Sequence, residues 1–176
     1  MIERSKKRDP YICQAIARIV AGMRVEQLSP TRTRLDFSMA FAECLGLSLR
    51  RDEARRRIIA SIRGLARWTW FEPEEIVDLE WTVEPWSDSV VANHCALALL
   101  DPAIRPLTPR LVLEALPITR QERLRWTKDG RLPQSGSVAI RRAHLISVPT
   151  YAVEVIAALV ASPATLVRWR ASDADA

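Results

Sequence analysis

The stretch Leu107–Pro133, LTPRLVLEALPITRQERLRWTKDGRLP, decides how this chain is read. Thr108 followed by Pro109 starts a helix, because a threonine hydroxyl can cap orphan N–H groups and proline at the first helical position forfeits no hydrogen bond. Apolar residues carry that helix to Leu116, and Pro117 stops it. Thr119, with Glu122 three residues on, is a capping box that starts a second helix. Asp129-Gly130 ends it, since glycine takes the left-handed conformation at a helix C-terminus at little cost. Two helices therefore meet across a turn of about four residues.

The second helix carries Leu124 and Trp126 as apolar anchors. Its Arg120, Gln121, Arg123, Arg125 and Lys128 are groups that can reach phosphates or base edges. After Pro133, Gln134–Ser137 reads as a loop. Val138–Ile140 and Leu145–Val148 alternate enough to pair as a small hairpin, with Arg141 and Arg142 at its tip and His144 as a structural or solvent-facing residue.

These residues resemble the winged helix-turn-helix modules of the excisionase and MerR-like families. In those families a helix, a tight turn, a helix ending in Trp and an Asp-Gly-Arg-Leu-Pro-like exit lead into a β-wing. The matching residues are Leu116, Ile118, Thr119, Trp126, Gly130, Arg131, Leu132 and Pro133, with Pro117 where the families usually carry glycine. The resemblance spans residues 107–161 and implies binding to double-stranded DNA. Thr119, Arg120, Gln121, Arg123, Arg125, Lys128 and Arg131 would then lie at or beside the major groove, and Arg141 and Arg142 on the backbone or in the minor groove.

The composition is that of an ordinary soluble globular chain, and 176 residues suffice for one large domain or two small ones. No apolar run approaches the ~20 residues that span a bilayer. The first eight residues, MIERSKKR, lack the apolar core of a signal peptide and read as a basic arm, so a cytoplasmic location and no membrane partner are expected. Cys13, Cys44 and Cys95 are isolated and read as buried thiols in a reducing compartment, and His94-Cys95 lacks metal-ligand spacing. The net charge of +5 is uneven. Residues 1–66 hold 14 basic and 7 acidic side chains, 67–106 hold 2 and 8, and 107–176 hold 10 and 6. Two basic segments thus flank an acidic one, and the basic ends suit a polyanion.

Ahead of the deciding stretch, helical spacing predicts a first helix opening at Asp9-Pro10 with Ile12, Ala15, Ile16, Ile19, Val20 and Met23 inward. A second is expected to start near Ser29-Pro30 and to end at Gly46. A long third helix would run from Leu49 to about Trp68. The segment AFAECLGLSLRRDEARRRI reads in two ways. It is either a second helix-turn-helix in which Arg50, Arg51 and Arg55 meet DNA, or a solvated face partly paired with Asp52 and Glu53.

Residues 67–85 interleave tryptophans with carboxylates, and Pro73 is expected to start a short helix through Ile76, Val77 and Leu79. The carboxylates raise the idea of a metal-dependent nuclease, but no motif or partner Lys or His accompanies them. A helix capped by Ser87 or Asp88 should end at Asp101-Pro102, ahead of a proline-rich connection. Beyond the hairpin, one helix is expected from Pro149-Thr150 and a last one over Ala164–Arg170, followed by a small acidic tail.

The fold expected is mainly α: a helical N-terminal bundle, residues 1–101, followed by a helix-turn-helix with a small β-wing, residues 107–170. The function expected is sequence-specific double-stranded DNA binding, as a transcriptional regulator or a recombination or replication accessory factor, with a second copy as a further partner. An adaptor built from packed helices and touching no DNA is the alternative. No P-loop, catalytic triad or metal spacing points to an enzyme, and no cofactor is expected.

Overall fold

The computed structural model describes residues 10–141 and 145–174. The chain divides into two compact units, Met1–Ala103 and Ile104–Ala176. The basic arm at residues 1–8, Arg142 and His144 lie outside the described residues, as does the Arg141 side chain.

In the first unit, helix α1 (Pro10–Ala21) leads into a hairpin of β1 (Arg24–Ser29) and β2 (Arg32–Asp36). Three helices follow: α2 (Ser38–Glu43), α3 (Leu45–Leu49) and α4 (Arg51–Ile62). A second hairpin, β3 (Ala66–Phe71) and β4 (Ile76–Trp81), precedes the long helix α5 (Asp88–Ile104). The four strands form one antiparallel sheet in the order β1-β2-β4-β3. One row across it holds Leu35, Val77 and Trp70, and the next Thr33, Leu79 and Trp68. Leu35, Val77, Leu79 and Thr33 of these rows are buried with Phe37, Phe41, Leu47, Ile58 and Leu99. The opposite face carries Arg34 beside Asp78 and Arg32 beside Glu80. That alternation of apolar and charged rows is what a sheet with one covered face requires.

The expectation of a mainly α protein with a helical N-terminal bundle is therefore corrected. The fold is mixed α and β. Ser29-Pro30 opens no helix; Ser29 ends β1, and Pro30 begins the turn into β2. The helix expected to reach Trp68 stops at Ile62, because Gly64 takes a φ of +87° and turns the chain into β3. The residues expected to form a short helix after Pro73 form β4, which lies in the interior of the sheet. Gly46 stops no helix but lies within α3, where the backbone of α5 leaves no room for a side chain: a Cβ would stand 2.2 Å from the Ala103 carbonyl oxygen. Helix α5 continues through Pro102 to Ile104.

The second unit begins with Leu107, whose N–H and C=O exchange hydrogen bonds with Tyr151 (2.7 and 3.0 Å). Helix α6 (Pro109–Ala115) and helix α7 (Arg120–Lys128) follow, joined by a four-residue turn, Leu116 to Thr119. Strands β5 (Gly136–Arg141) and β6 (Leu145–Thr150) pair in antiparallel register from Gly136↔Thr150 to Arg141↔Leu145. Helices α8 (Val153–Ala161) and α9 (Pro163–Ala174) complete the unit. Pro149-Thr150 thus belongs to β6, and the last helix runs four residues beyond the expected Arg170. The core is Trp126, Tyr151, Leu107, Leu132, Val112 and Ile156, each with essentially no exposed surface.

Candidate nucleic-acid interface

The geometry of α7 follows from its ends. Thr119 Oγ1 accepts the Glu122 N–H (3.1 Å) while Glu122 Oε2 accepts the Thr119 N–H (2.7 Å), so the capping box forms and satisfies two orphan donors. At the other end Gly130 has a φ of +85°, and the Leu132 N–H donates back to the Trp126 carbonyl (2.8 Å). Thr108 makes no side-chain cap at α6, so Pro109 alone carries the start signal there.

The turn before α7 is pinned by α9. Arg170 Nη2 donates to the Pro117 carbonyl (2.6 Å) and Arg170 Nε to Glu122 Oε1 (2.6 Å). The Arg170 guanidinium, aided by the Thr119 N–H, holds the Glu122 carboxyl down to about 2. Further along α7, Asp173 accepts from Trp126 Nε1 (2.8 Å) and pairs with Arg125 (2.7 Å) and Arg131 (2.5 Å). The Arg131 hydrogen bond is the main reason the Asp173 carboxyl titrates below its ordinary range. The rings of Trp126 and Trp169 meet edge to face, 5.0 Å between centres.

Helix α7 is thereby split into two faces. Arg120, Gln121, Leu124, Arg125 and Lys128 are exposed, whereas Arg123 and Trp126 are buried. Arg120, Gln121 and Lys128 make no ion pair or side-chain hydrogen bond among the described residues. Leu124, expected to anchor the helix inward, stands 51% exposed in the middle of the outer face.

Several expected contact residues are committed elsewhere. Arg123 is 5% exposed, because its position on α7 points it at Tyr151 and away from solvent. The Thr119 hydroxyl is occupied as a cap. Arg131 is held by Asp129 and Asp173 and lies over the Trp126 ring, so it closes the exit from α7. In the first unit, Arg50 is buried and donates to the Pro102 carbonyl (2.8 Å). Arg51 pairs with Glu75 (3.0 Å), and Arg55 takes both Glu75 oxygens (2.8 and 2.7 Å) and also Glu72. Arg51 and Arg55 are thus paired with carboxylates of the β3–β4 turn more than with Asp52 and Glu53, and Arg50 is buried, so it belongs to neither a solvated nor a groove-facing surface.

Three carboxylates of the acidic segment, Glu72, Glu75 and Asp78, serve arginines of the same unit. Asp78 receives two hydrogen bonds from Arg34 (2.7 and 3.0 Å), which depress its titration, and Glu75 serves Arg51 and Arg55. Among the described residues no group of three or more His, Cys, Asp or Glu could hold a metal ion. His94 Nε2 lies 2.9 Å from the Ser61 carbonyl and its ring stands edge-on to Trp86. Cys95 is buried, which pushes its thiol up to about 12, but Cys13 is exposed and Cys44 half-buried, against the expectation that all three are buried.

The sequence reading passed over three residues that shape this surface. Asp173 falls in the expected acidic tail and Arg170 at the end of the expected last helix, and nothing local to Tyr151 marks it as a partner of α7. Only the charge of Asp173 and Arg170 marked them, and charge without a partner in view does not say which helix it will hold.

Comparison with known protein families, with curated proteins and with solved structures finds no match to this chain. No helix among the described residues is long and apolar enough to cross a membrane.

Proposed function

We propose that the second unit is a double-stranded DNA-binding module of the winged helix-turn-helix kind, with α7 as the helix that enters the major groove. The observation that carries this reading is the outer face of α7, where Arg120, Gln121 and Lys128 stand exposed with no carboxylate partner among the described residues. Charge supports it. Residues 104–176 hold 11 basic and 6 acidic side chains, a net +5, while residues 1–103 hold 15 of each and are neutral. A polyanion would therefore be drawn to the second unit. Arg120 and Gln121 lie on the first turn, from which recognition helices reach base edges, and Lys128 at the last turn suits a phosphate. A cytoplasmic location accords with this reading, and a second copy would be needed to read a paired half-site.

The exposed Leu124 favours a second reading, in which the same face receives an apolar surface of another protein.

Titration against mixed-sequence duplex DNA at several salt concentrations tests the proposal. Binding should weaken steeply with salt, and Lys128→Ala should lower the salt slope by about one. Arg120→Ala should cost roughly 1–3 kcal/mol on a preferred site and relax discrimination there. Absence of DNA binding at low salt by the folded protein removes the proposal and leaves the apolar reading.

A further inference from the structure

The sheet of the first unit ends in two edge strands, β1 and β3, and the two are finished differently. β1 carries Arg24 and Glu26 and breaks its register between Gln27 and Ser29, the combination of charge and bulge that keeps a further strand from pairing. β3 carries charge only at Arg67, keeps an unbroken register from Ala66 to Phe71, and exposes Trp68 by 42% and Phe71 by 41%.

The ladder shows which backbone groups of β3 are free. The Thr82 N–H donates to the Leu65 carbonyl (3.0 Å), so in the alternation of an antiparallel pair Arg67, Thr69 and Phe71 turn their N–H and C=O towards β4. The Trp81 N–H goes instead to the Thr31 carbonyl on the β2 side (2.9 Å), as that alternation requires. Ala66, Trp68 and Trp70 turn their N–H and C=O outward, where no described residue meets them.

The strand is complementary to its own reverse. Trp68-Thr69-Trp70 reads the same in both directions, so a two-fold axis through Thr69 sets Trp68 of each copy opposite Trp70 of the other, where the outward backbone groups exchange hydrogen bonds. The same axis sets Thr69 opposite Thr69 and Arg67 opposite Phe71, pairings of the kinds that stabilise antiparallel strands. Trp70 is already fixed in place, its ring stacked on Phe37 at 5.9 Å. Charge has the matching order: exposed Arg63 and Arg67 stand at the start of β3, and exposed Glu72 and Glu74 just beyond its end. Antiparallel pairing brings the basic start of one copy to the acidic end of the other, whereas parallel pairing would bring like to like.

We infer that β3 is the docking edge for β3 of a second copy of this chain, paired antiparallel about Thr69 into one sheet continuous across both copies. The backbone groups alone would accept any extended strand; the order of residues and charges selects β3 itself. The interface lies within the first unit and stands independently of the DNA-binding reading. A strand edge is a small interface, so association should be reversible and follow concentration.

Sedimentation equilibrium of the full-length protein, with backbone amide hydrogen exchange at the same concentrations, tests this. The protein should pass from monomer to dimer as concentration rises. The Trp68 and Trp70 amides should become protected in step, while the Thr69 amide, already bonded to β4, changes little. Trp68→Lys should raise the dimer dissociation constant by about tenfold or more, since the two-fold axis counts each substitution twice. Arg67→Glu, on the opposite face of the strand, should raise it as well, by setting like charge against Glu72 and Glu74 of the second copy. A protein that stays monomeric at every concentration overturns the inference. So does a dimer whose Trp68 and Trp70 amides exchange as fast as in the monomer, or one that folded Trp68→Lys or Arg67→Glu forms with unchanged affinity. The amide measurement needs no variant, so it decides even where a substituted chain fails to fold. A β3 dimer without any DNA binding removes the proposed function and keeps this edge.

Discussion

Asp173, near the end of α9, accepts the indole N–H of Trp126 at 2.8 Å, so the last described helix reaches the centre of α7. Trp126 has no exposed surface and lies edge-on to Trp169. Trp126→Ala should therefore destabilise the second unit by about 3–5 kcal/mol, the usual loss for a large buried aromatic. Trp126→Phe should lose less, since it keeps most of the packing and gives up the donor. Denaturant unfolding of the two variants checks the order.

Acid should loosen the grip of α9 on the α6–α7 turn. Glu122 titrates at about 2 in the folded protein, held there first by Arg170. An unfolded glutamate titrates near ~4.3, so between these values the unfolded chain binds the extra proton. The stability contributed by Glu122 is complete above about pH 5 and is lost as pH falls towards 2. The melting temperatures of wild type and Glu122→Gln should differ at neutral pH and converge at about pH 2. A gap that persists unchanged into acid would show that the Arg170–Glu122 pair contributes nothing.

Gly46→Ala should destabilise the first unit although alanine is the better helix former. A Cβ at this position would stand 2.2 Å from the Ala103 carbonyl oxygen and 2.9 Å from that of Pro102, both backbone atoms. Overpacking of this kind costs about 1–3 kcal/mol. Equal or greater thermal stability of the variant would show that α3 and α5 can separate freely.

Arg55→Met leaves the buried Glu75 carboxylate with Arg51 as its remaining partner. Because Glu75 keeps one of its two guanidinium partners, the first unit should lose about 1–3 kcal/mol of stability, the range for a buried group left short of a partner. DNA affinity per folded molecule should not change, since Arg55 is committed to Glu75 and Glu72. A variant that stays stable but binds DNA less tightly would return Arg55 to the nucleic-acid surface.

The second unit was more legible than the first because its signals are local. Thr119, Glu122 and Gly130 announce their structures within a turn of chain. The sheet of the first unit depends on pairs far apart, such as Leu35 with Val77 and Thr33 with Leu79. Period-two alternation was present in Thr33, Leu35 and Phe37 and in Val77, Leu79 and Trp81. Each run is short enough that helical spacing accommodates part of it, and Ser29-Pro30 serves a turn as well as a helix start. The candidate site was legible where exposure follows helical period, at Arg120, Gln121 and Lys128. It was not legible at Arg123, Arg131 and Arg50, whose partners Tyr151, Asp173 and Pro102 lie 28 to 52 residues away.

The hydrogen bond from buried Arg50 to the Pro102 carbonyl sets a limit on how the chain can be divided. The last carbonyls of a helix have no partner within it, and here one of them is satisfied by a side chain from the start of α4. Pro102 and Ala103 are also the wall against which Gly46 closes. A protease cut before Pro102 would remove an acceptor, a wall and the end of α5 together, and the N-terminal fragment should be digested further. A cut after Arg105 leaves all three in place, so fragments that survive limited proteolysis should end there or later, beyond the point where the residue pattern alone would have placed the boundary.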